Sequence, residues 1–169
     1  MTGGGPTATV RPARKDDAEA IAAIHNEGVE DRIATFRAEP RQASDVVLAL
    51  EGGRPLLVAE RAGVIAGWAG VGPYDDGNPW YAGVGEATVY VGRDARGSGI
   101  GGELLAALGR AAKSAGTFKL IAKVFDTNSA SLRLFERGGY RRVGVHSRHG
   151  RLDGEWKDVV VLEQFLGES

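Results

Sequence analysis

Hydrophobic positions along the chain follow two spacings, one typical of helices and one typical of strands. After the capping pair Asp16-Asp17, apolar residues recur at helical spacing, which predicts a helix that ends near residue 30 or 31. Further helices are predicted over residues 44–52, 99–115 and 128–137. Runs rich in β-branched and aromatic residues predict strands over residues 10–12, 56–60, 64–71, 82–91, 118–125, 140–146 and 156–162, with a hairpin turn at Ala62-Gly63.

Strands followed by helices predict a central sheet of mixed strand direction flanked by helices, an α/β (α+β) fold. The chain has 169 residues, of which 43% are apolar and 25% charged, so we predict one domain over residues 9–166. Residues 1–8 are rich in glycine and threonine and are predicted to form a flexible lead-in. They lack the basic flank and apolar stretch of a secretion signal.

Charge and composition exclude several classes of function. No run approaches the roughly 18 consecutive apolar residues of a membrane span, and 21 basic against 22 acidic residues leave a net charge of −1. We therefore expect a cytoplasmic protein with no membrane or nucleic-acid partner. The lack of cysteine excludes a disulfide and a cysteine nucleophile. His25, His146 and His149 have no companions at metal-ligand spacing, so no metal is predicted.

The strongest chemical signal is a glycine-rich turn between a predicted strand and a predicted helix. Its sequence is Arg96-Gly97-Ser98-Gly99-Ile100-Gly101-Gly102. Glycines let a backbone approach a ligand closely, and the dipole of the following helix favours negative charge, so the turn fits a pyrophosphate. A P-loop is excluded because Gly102-Glu103 stands where it needs Lys-Ser/Thr. A dinucleotide fingerprint needs an acidic residue about 20 residues on, and Asp126 lies beyond that distance.

The turn resembles the Arg/Gln-x-x-Gly-x-Gly/Ala motif of the GNAT acetyltransferase superfamily, which holds the pyrophosphate of coenzyme A. Downstream, the segment from Asn128 to Tyr140 resembles the second signature of that superfamily, a helix opened by Asn and small residues and ended by Gly-Tyr/Phe. Over residues 9–166 the chain is similar to the branch that acetylates phosphinothricin, methionine sulfoximine and arsinothricin. The segments that carry this likeness are residues 10–13, 33–36, 89–91 and 150–160.

The resemblance implies a GNAT-like fold and acetyl-CoA as co-substrate. It implies that Val89, Tyr90 and Val91 pair through their backbone with the pantetheine arm. It also implies that Arg96, Gly97, Ser98, Gly99, Ile100, Gly101 and Gly102 hold the pyrophosphate, and that Asn128 meets the pantetheine.

Acetyl transfer to an amine needs a group that removes a proton from the nucleophile. Glu86 is predicted to be this base or part of a proton relay, because the resembling enzymes carry a functional Glu at this place. Strand alternation puts Glu86, Thr88 and Tyr90 on one face; the alternative is a solvated carboxylate. Many superfamily members protonate the leaving thiolate with a tyrosine of the last helix, and Phe135 stands at that position. Water or another hydroxyl would have to supply this proton.

Phe36, Trp80 and Tyr81 are candidates for the acceptor pocket, since the resemblance places the acceptor near residues 33–36 and near the loop before Glu86. The alternatives are core packing for Phe36 and an aromatic anchor of the loop for the other two. In the resembling enzymes this loop tends to be basic. Here it contains Asp75-Asp76, two carboxylates that would oppose an anionic acceptor.

The sequence therefore predicts an acetyl-CoA-dependent N-acetyltransferase that acts on the amino group of a small amino acid analogue, in a resistance or detoxification role. Direct transfer in a ternary complex is the expected route. The alternatives are another small amine or a peptide N-terminus as acceptor, and a non-catalytic acyl-CoA-binding sensor. The resemblance also implies a homodimer, to which the strands with Trp156, Val160 and Leu162 would contribute unless the monomer's own sheet buries them.

Overall fold

The computed structural model of the chain describes residues 7–167, so most of the predicted lead-in lies outside the described residues. The strands are β1 (Thr9–Pro12), β2 (Leu56–Arg61), β3 (Val64–Pro73), β4 (Val84–Val91), β5 (Lys119–Phe125), β6 (Arg141–Leu152) and β7 (Glu155–Phe165). The α-helices are α1 (Ala18–Asp31), α2 (Ala43–Glu51), α3 (Ile100–Ser114) and α4 (Ser129–Arg137).

The strands form one sheet in the order β1-β2-β3-β4-β5-β7-β6. Strands β4 and β5 are parallel and are connected through α3, whereas the other neighbouring pairs are antiparallel. A parallel pair needs such a long crossover, which is why the longest helix lies between these two strands. The predicted mixed sheet flanked by helices is confirmed.

The two faces of the sheet bury separate cores. On one face, α3 and α4 pack through side chains spaced along each helix: Ile100, Leu104, Leu105, Leu108, Leu132 and Phe135. On the other face, α1 and α2 pack against the first strands through Ile21, Ile24, Val46, Val58 and Trp68. Because side chains alternate along a strand, each residue of β4 and β5 can be assigned to the α1 face or the α3 face.

Two tight hairpins fix the register of the sheet. Ala62 and Gly63 connect β2 to β3, and Asp153 and Gly154 connect β6 to β7; all four residues have positive φ. Two-residue loops of this kind match the twist of antiparallel strands. The last hairpin is longer than predicted, because β6 and β7 remain paired on both sides of an irregularity between residues 146 and 150.

An ion cluster joins β1 to the start of α1. The Arg11 guanidinium donates to both carboxylate oxygens of Asp17, at 2.8 and 2.9 Å, and to Glu60 at 3.0 Å. The backbone N–H of Arg14 adds a fourth hydrogen bond, to Asp17 at 2.7 Å. Asp17 is buried, and α1 begins directly after it at Ala18. The predicted side-chain cap is not formed, because the carboxylate makes no hydrogen bond to the N–H groups of α1. It holds the start of the helix to the edge strand instead.

Candidate functional site

Strand β4 is paired along its whole length on one side and only at its start on the other. It pairs with β3 from Gly85 to Val91. Its pairing with β5 covers only Val84, Gly85 and Glu86, and Glu86 lies opposite Ile121. From residue 122 to Phe125, β5 continues against β7. A gap therefore opens between β4 and β5 beyond Glu86, in a part of the sheet where both strands are otherwise ordered.

The backbone groups that face this gap follow from strand alternation. The N–H of Gly92 donates to Ala66 on β3, at 2.9 Å, and the C=O of Gly83 accepts from Phe118 on the β5 side, at 2.8 Å. Even-numbered residues of this strand thus present their backbone to β3, and odd-numbered residues present theirs to β5. The groups at the gap belong to Ala87, Val89 and Val91.

Tyr90 differs from its two neighbours in the predicted cofactor set. Its backbone faces β3, opposite Trp68, and its ring stacks on Trp68 with 5.3 Å between ring centroids. Ala87 instead joins Val89 and Val91 at the gap, although the sequence did not single it out. The side chains of all three odd-numbered residues pack towards the α3 face, which leaves their amide and carbonyl groups as the polar features of this edge.

The glycine-rich turn lies at the open end of the gap. Gly97 and Gly99 have φ of 74° and 88°, a left-handed conformation that L side chains rarely adopt, and α3 begins at Ile100. Within residues 7–167, no hydrogen-bond acceptor meets the backbone N–H groups of Gly97, Gly99, Ile100 and Gly101. A Cβ built on Gly97, Gly99 or Gly102 would touch nothing within 4 Å. The turn therefore offers free donors and open space at a helix N-terminus.

Side chains of the turn are used to hold its shape. The hydroxyl of Ser98 donates to the C=O of Ala95. Arg96 donates through Nε to the C=O of Val91, at 3.3 Å, and its Nη2 lies 2.8 Å from a carboxylate oxygen of Asp31. The backbone N–H groups of both residues are also in use, since Arg96 donates to the C=O of Arg93 and Ser98 to that of Ala95, each at 3.4 Å. The predicted ligand contacts of Ser98 and Arg96 therefore require these groups to leave their present partners.

Asp31 braces the turn from the end of α1. Its Oδ1 accepts from Arg93, at 2.7 Å, and its Oδ2 lies 2.8 Å from Nη2 of Arg96. These two contacts hold the pKa of the carboxyl below its usual range. Glu27, one helical turn earlier, accepts from the backbone N–H of Arg93 at 2.7 Å. Sequence reasoning missed both acidic residues, because at the end of an amphipathic helix they resemble an ordinary solvated face.

Asn128 is the N-cap of α4. Its Oδ1 accepts from the N–H of Ser131 and its Nδ2 donates to the C=O of Ile33, each at 3.1 Å. The side chain therefore ties the segment from Ile33 to Phe36 to the start of α4, at the end of β5. This confirms that Asn128 opens the helix, while its predicted contact with pantetheine stays a prediction.

Phe135 of α4 is buried in the core on the α3 face. Its ring meets Tyr140 edge-to-face, with 5.0 Å between centroids. The hydroxyl of Tyr140 is buried and has no hydrogen-bond partner among the described residues. Burial raises the pKa of this phenol above its usual value. The helix thus places a hydrocarbon ring where a proton donor is usual in the resembling enzymes, with an unpartnered hydroxyl beside it.

Glu86 lies at the closed end of the gap with its side chain on the α1 face. Its Oε2 accepts from Nζ of Lys123 on β5, at 2.9 Å, and the two side chains are 32% and 45% exposed. Gly72 is the cross-strand neighbour of Glu86, and a Cβ built there would meet only a backbone oxygen at 3.9 Å. Open space therefore adjoins the carboxylate. Lys123, a partner that the sequence did not indicate, is the cation next to it.

The three aromatic candidates for the acceptor pocket lie in different surroundings. Phe36 packs edge-to-face on Phe125, with 4.7 Å between centroids, and a Cβ on Gly150 would lie 2.7 Å from its ring. Phe36 therefore contributes to packing at the end of β5, as the alternative of core packing predicts in part. Trp80 is 89% exposed. Tyr81 meets Tyr74 edge-to-face at 5.3 Å, as the alternative of a loop anchor predicts.

Tyr81 also lines a cavity of about 330 Å³ together with Tyr74, Val71, Gly85 and the end of α3. Val71 belongs to the core of the α3 face, so this cavity lies on the opposite side of the sheet from the Glu86 side chain. Glu86 is not part of its lining. The structure therefore does not bring Tyr81 and Glu86 into one pocket, and the acceptor role of Trp80 and Tyr81 stays a prediction.

His25 occupies the interior of the α1 face, as a structural histidine would. Its ring lies 4.8 Å from that of Tyr90 and 6.0 Å from that of Trp68, measured between centroids. Burial, together with the charges of Arg41 and Arg37, lowers the pKa of His25 to about 4. A neutral imidazole held among aromatic rings fits packing.

Two further observations concern ions and membranes. Over residues 7–167, no cluster of three or more His, Cys, Asp or Glu side chains is arranged to hold a metal ion. In the same range, no helix is both long enough and apolar enough to cross a bilayer.

Comparison with known proteins identifies the family to which this fold and site correspond. The model of the Acetyltransferase (GNAT) family matches residues 21–140. The phosphinothricin N-acetyltransferase of Alcaligenes faecalis is 35% identical over 163 residues, which covers 94% of this chain and 82% of that protein. The L-methionine sulfoximine/L-methionine sulfone acetyltransferase of Pseudomonas aeruginosa is 32% identical over 164 residues, covering 93% and 94%.

Among solved structures, the phosphinothricin acetyltransferase of Sinorhizobium meliloti in complex with acetyl-CoA superposes with a TM-score of 0.88 at 28% identity. The match covers 95% of this chain and 89% of that one. The predicted co-substrate is thus the ligand of a protein with the same fold. The sequence-based predictions of the fold, the family and the enzyme class are confirmed.

Proposed function

This chain belongs to the Acetyltransferase (GNAT) family, and we propose that it moves the acetyl group of acetyl-CoA to the amino group of a small amino acid analogue. The observation that carries the proposal is the gap between β4 and β5. One edge of the gap presents backbone groups of Ala87 and Val89 that no neighbouring strand pairs. Its open end holds a turn with free N–H donors, and its closed end holds a carboxylate beside open space.

The odd-numbered residues of β4 fit the pantetheine arm. An extended arm with amide groups can add to the edge of β4 as a further strand would, pairing with Ala87, Val89 and Val91. This leaves Tyr90 to support the edge from behind through its ring. The pyrophosphate then meets the free N–H groups of Gly97, Gly99, Ile100 and Gly101, where the helix dipole of α3 favours its charge.

Glu86 acts as the base in the proposed mechanism. The acceptor arrives as an ammonium ion, and Glu86 takes one of its protons, directly or through water. The freed amine nitrogen attacks the thioester carbonyl carbon, the carbon–sulfur bond breaks, and the electron pair leaves on the thiolate. Both substrates are bound together, so no covalent enzyme intermediate forms. Phe135 has no proton to give, so the second proton that the attacking nitrogen loses passes to the thiolate through water.

The proposed acceptors are of the phosphinothricin, methionine sulfoximine or arsinothricin type, and a resistance or detoxification role follows from them. The two curated relatives named above, which match almost the whole of this chain, carry the first two substrates in their names. A homodimer and a cytoplasmic location remain predictions from the resemblance and the composition.

A thiol-release assay tests the proposal. The purified chain with acetyl-CoA should release free thiol when phosphinothricin or methionine sulfoximine is added, and mass spectrometry should find the N-acetyl product. Turnover only with polyamines, aminoglycosides or peptide N-termini would remove the proposed acceptor class and keep the enzyme class.

A second candidate function, a non-catalytic acyl-CoA-binding sensor, is favoured by one observation, the hydrocarbon ring of Phe135. It predicts acetyl-CoA binding by calorimetry with no acetylation of any amine. The base assigned to Glu86 predicts instead that Glu86→Gln binds acetyl-CoA as the wild type does and loses turnover.

A further inference from the structure

We propose that Lys123 is a specificity-determining residue: its ammonium leaves Glu86 when the acceptor binds and pairs with the acceptor's α-carboxylate. The enzyme then selects acceptors that are zwitterionic amino acids over simple amines and amino acid amides. This inference rests on the acetyl transfer to an amino acid analogue proposed above.

The position of Lys123 follows from the strand pairing. Glu86 lies opposite Ile121, so Lys123, two residues further along β5, projects from the same face at the point where the strands separate. Nζ of Lys123 lies 2.9 Å from Oε2 of Glu86. The pair therefore spans the closed end of the gap, where the acetyl group of the donor and the amine of the acceptor have to meet.

The exposure of the pair makes an exchange of partners possible. Both side chains are about one third to one half exposed, and in this structure their mutual contact is the single hydrogen bond that each makes. An ion pair at such exposure is weak, because solvent screens it and the long lysine side chain loses freedom in forming it. An incoming charged ligand can therefore displace either member.

The charges of an amino acid complement the pair. Its ammonium and its carboxylate are attached to the same carbon, so an ammonium at Glu86 brings a carboxylate into the neighbourhood of Lys123. One ion pair of the free enzyme is then replaced by two in the complex. A simple amine brings an ammonium alone, which has to compete with Lys123 for the same carboxylate.

Proton transfer sharpens the argument. After the transfer Glu86 is neutral, and Lys123 needs another anion. The acceptor's α-carboxylate supplies it in the ground state and throughout the attack on the thioester.

Lys119 provides a matched control. It lies four residues before Lys123 on β5, so it projects from the same face, and it pairs with Glu163 rather than with Glu86. It is located where β4 and β5 are still paired, opposite Val84. Substitution of Lys119 removes an equal charge from the same strand without touching the closed end of the gap.

The experiment compares two acceptors that differ in one group, L-methionine sulfone and its primary carboxamide, with acetyl-CoA as donor and thiol release as readout. For the wild type, kcat/KM should favour the free acid by about tenfold or more, the ratio expected for one charge-assisted contact. Lys123→Met and Lys123→Gln should lose this preference, mainly through a higher KM for the acid. Lys123→Arg should retain it, and Lys119→Met should match the wild type.

Calorimetric titration with acetyl-CoA and a thermal melt show that each variant is folded and binds the donor. If both neutral variants keep the preference for the acid, or lose rate equally on both acceptors, the inference is wrong and Lys123 is only a neighbour of Glu86. If the wild type acetylates no amino acid analogue, the proposed function fails with it. A wild type that acetylates the acid and the amide equally overturns the inference alone.

Discussion

Asp17 and Glu86 are two carboxylates that pair with basic residues, and they differ in how completely they are satisfied. Asp17 is buried and accepts three hydrogen bonds, two from Arg11 and one from the backbone of Arg14. Glu86 is one third exposed and accepts one, from Lys123, with open space beside it. A buried carboxylate held by three hydrogen bonds is closed to a ligand, whereas a partly exposed one with a single hydrogen bond is open to an incoming proton donor. The difference separates a structural group from a chemical one.

Glu86→Gln should reduce activity and leave stability almost unchanged. Its amide cannot take a proton, so kcat should fall by roughly 10²- to 10⁴-fold. The melting temperature should hardly move, because an exposed pair contributes about 0–1 kcal/mol. Glu60→Gln is the control, since Glu60 is 36% exposed and pairs with a single arginine, Arg11. Thiol-release kinetics and thermal melts of the two variants check both expectations; equal rates would contradict the role of Glu86.

Asp17→Asn should have the opposite effect, a loss of stability with activity unchanged. The amide loses the charge that Arg11 needs and cannot accept all three hydrogen bonds, which should lower the free energy of unfolding by roughly 2–3 kcal/mol. The kcat of the folded variant should equal that of the wild type. Urea unfolding and thiol-release rates measure the two quantities. A variant as stable as the wild type would show that the cluster of Arg11 contributes nothing.

The same carboxylate predicts how stability responds to acid. Hydrogen bonds from Arg11 hold the pKa of Asp17 below its usual range, and its unfolded value is about 3.9. A depressed folded pKa gives stability that is fully present above the unfolded value and is lost as the pH falls through the folded one. Unfolding curves of the wild type should therefore shift below about pH 4, and Asp17→Asn should lack that part of the shift.

His25 extends the comparison to a buried group whose polar atoms have no partners. Its ring nitrogens meet no hydrogen-bond partner within residues 7–167, and its pKa is lowered to about 4. The unfolded chain binds a proton near pH 6.5, so stability should decline as the pH falls from about 6.5 to 4, by roughly 3 kcal/mol. In His25→Phe, the free energy of unfolding should no longer fall between about pH 6.5 and 4, whereas the loss of stability below about pH 4 that Asp17 causes should remain. Urea midpoints measured across both intervals separate the two groups.

Those features of the site that depend on residues close together in the sequence could be predicted from it. The turn from Arg96 to Gly102 is contiguous, positive φ requires two of its glycines, Gly97 and Gly99, and a strand and a helix flank it in the chain. Asn128 was recognised as the start of a helix for the same reason. Side-chain alternation was also enough to put Glu86 and Tyr90 on one face, because it needs no knowledge of the partner strand.

Features that depend on pairing between distant strands could not be predicted. Lys123 is an ordinary alternating lysine until the register sets Ile121 opposite Glu86. That Ala87, rather than Tyr90, faces the gap follows from which neighbour each residue is hydrogen-bonded to, a property of three strands together. The cavity of Tyr81 on the opposite face arises in the same way, because the packing of Val71 and α3 determines it.

Tyr140 carries a buried hydroxyl that meets no hydrogen-bond partner in the described part of the chain. This hydroxyl loses its hydrogen bonds to water on folding and gains none in the folded protein, which costs free energy. Its removal should therefore be neutral or stabilising by up to about 1 kcal/mol. Tyr140→Phe should therefore unfold at the same urea concentration or a slightly higher one, with kcat unchanged. If kcat instead falls while stability holds, the hydroxyl beside Phe135 is the group that protonates the thiolate, and water is not. Phe135→Tyr in the same background then decides the point, because a phenol restored to α4 should recover the rate only if the missing step is this proton transfer.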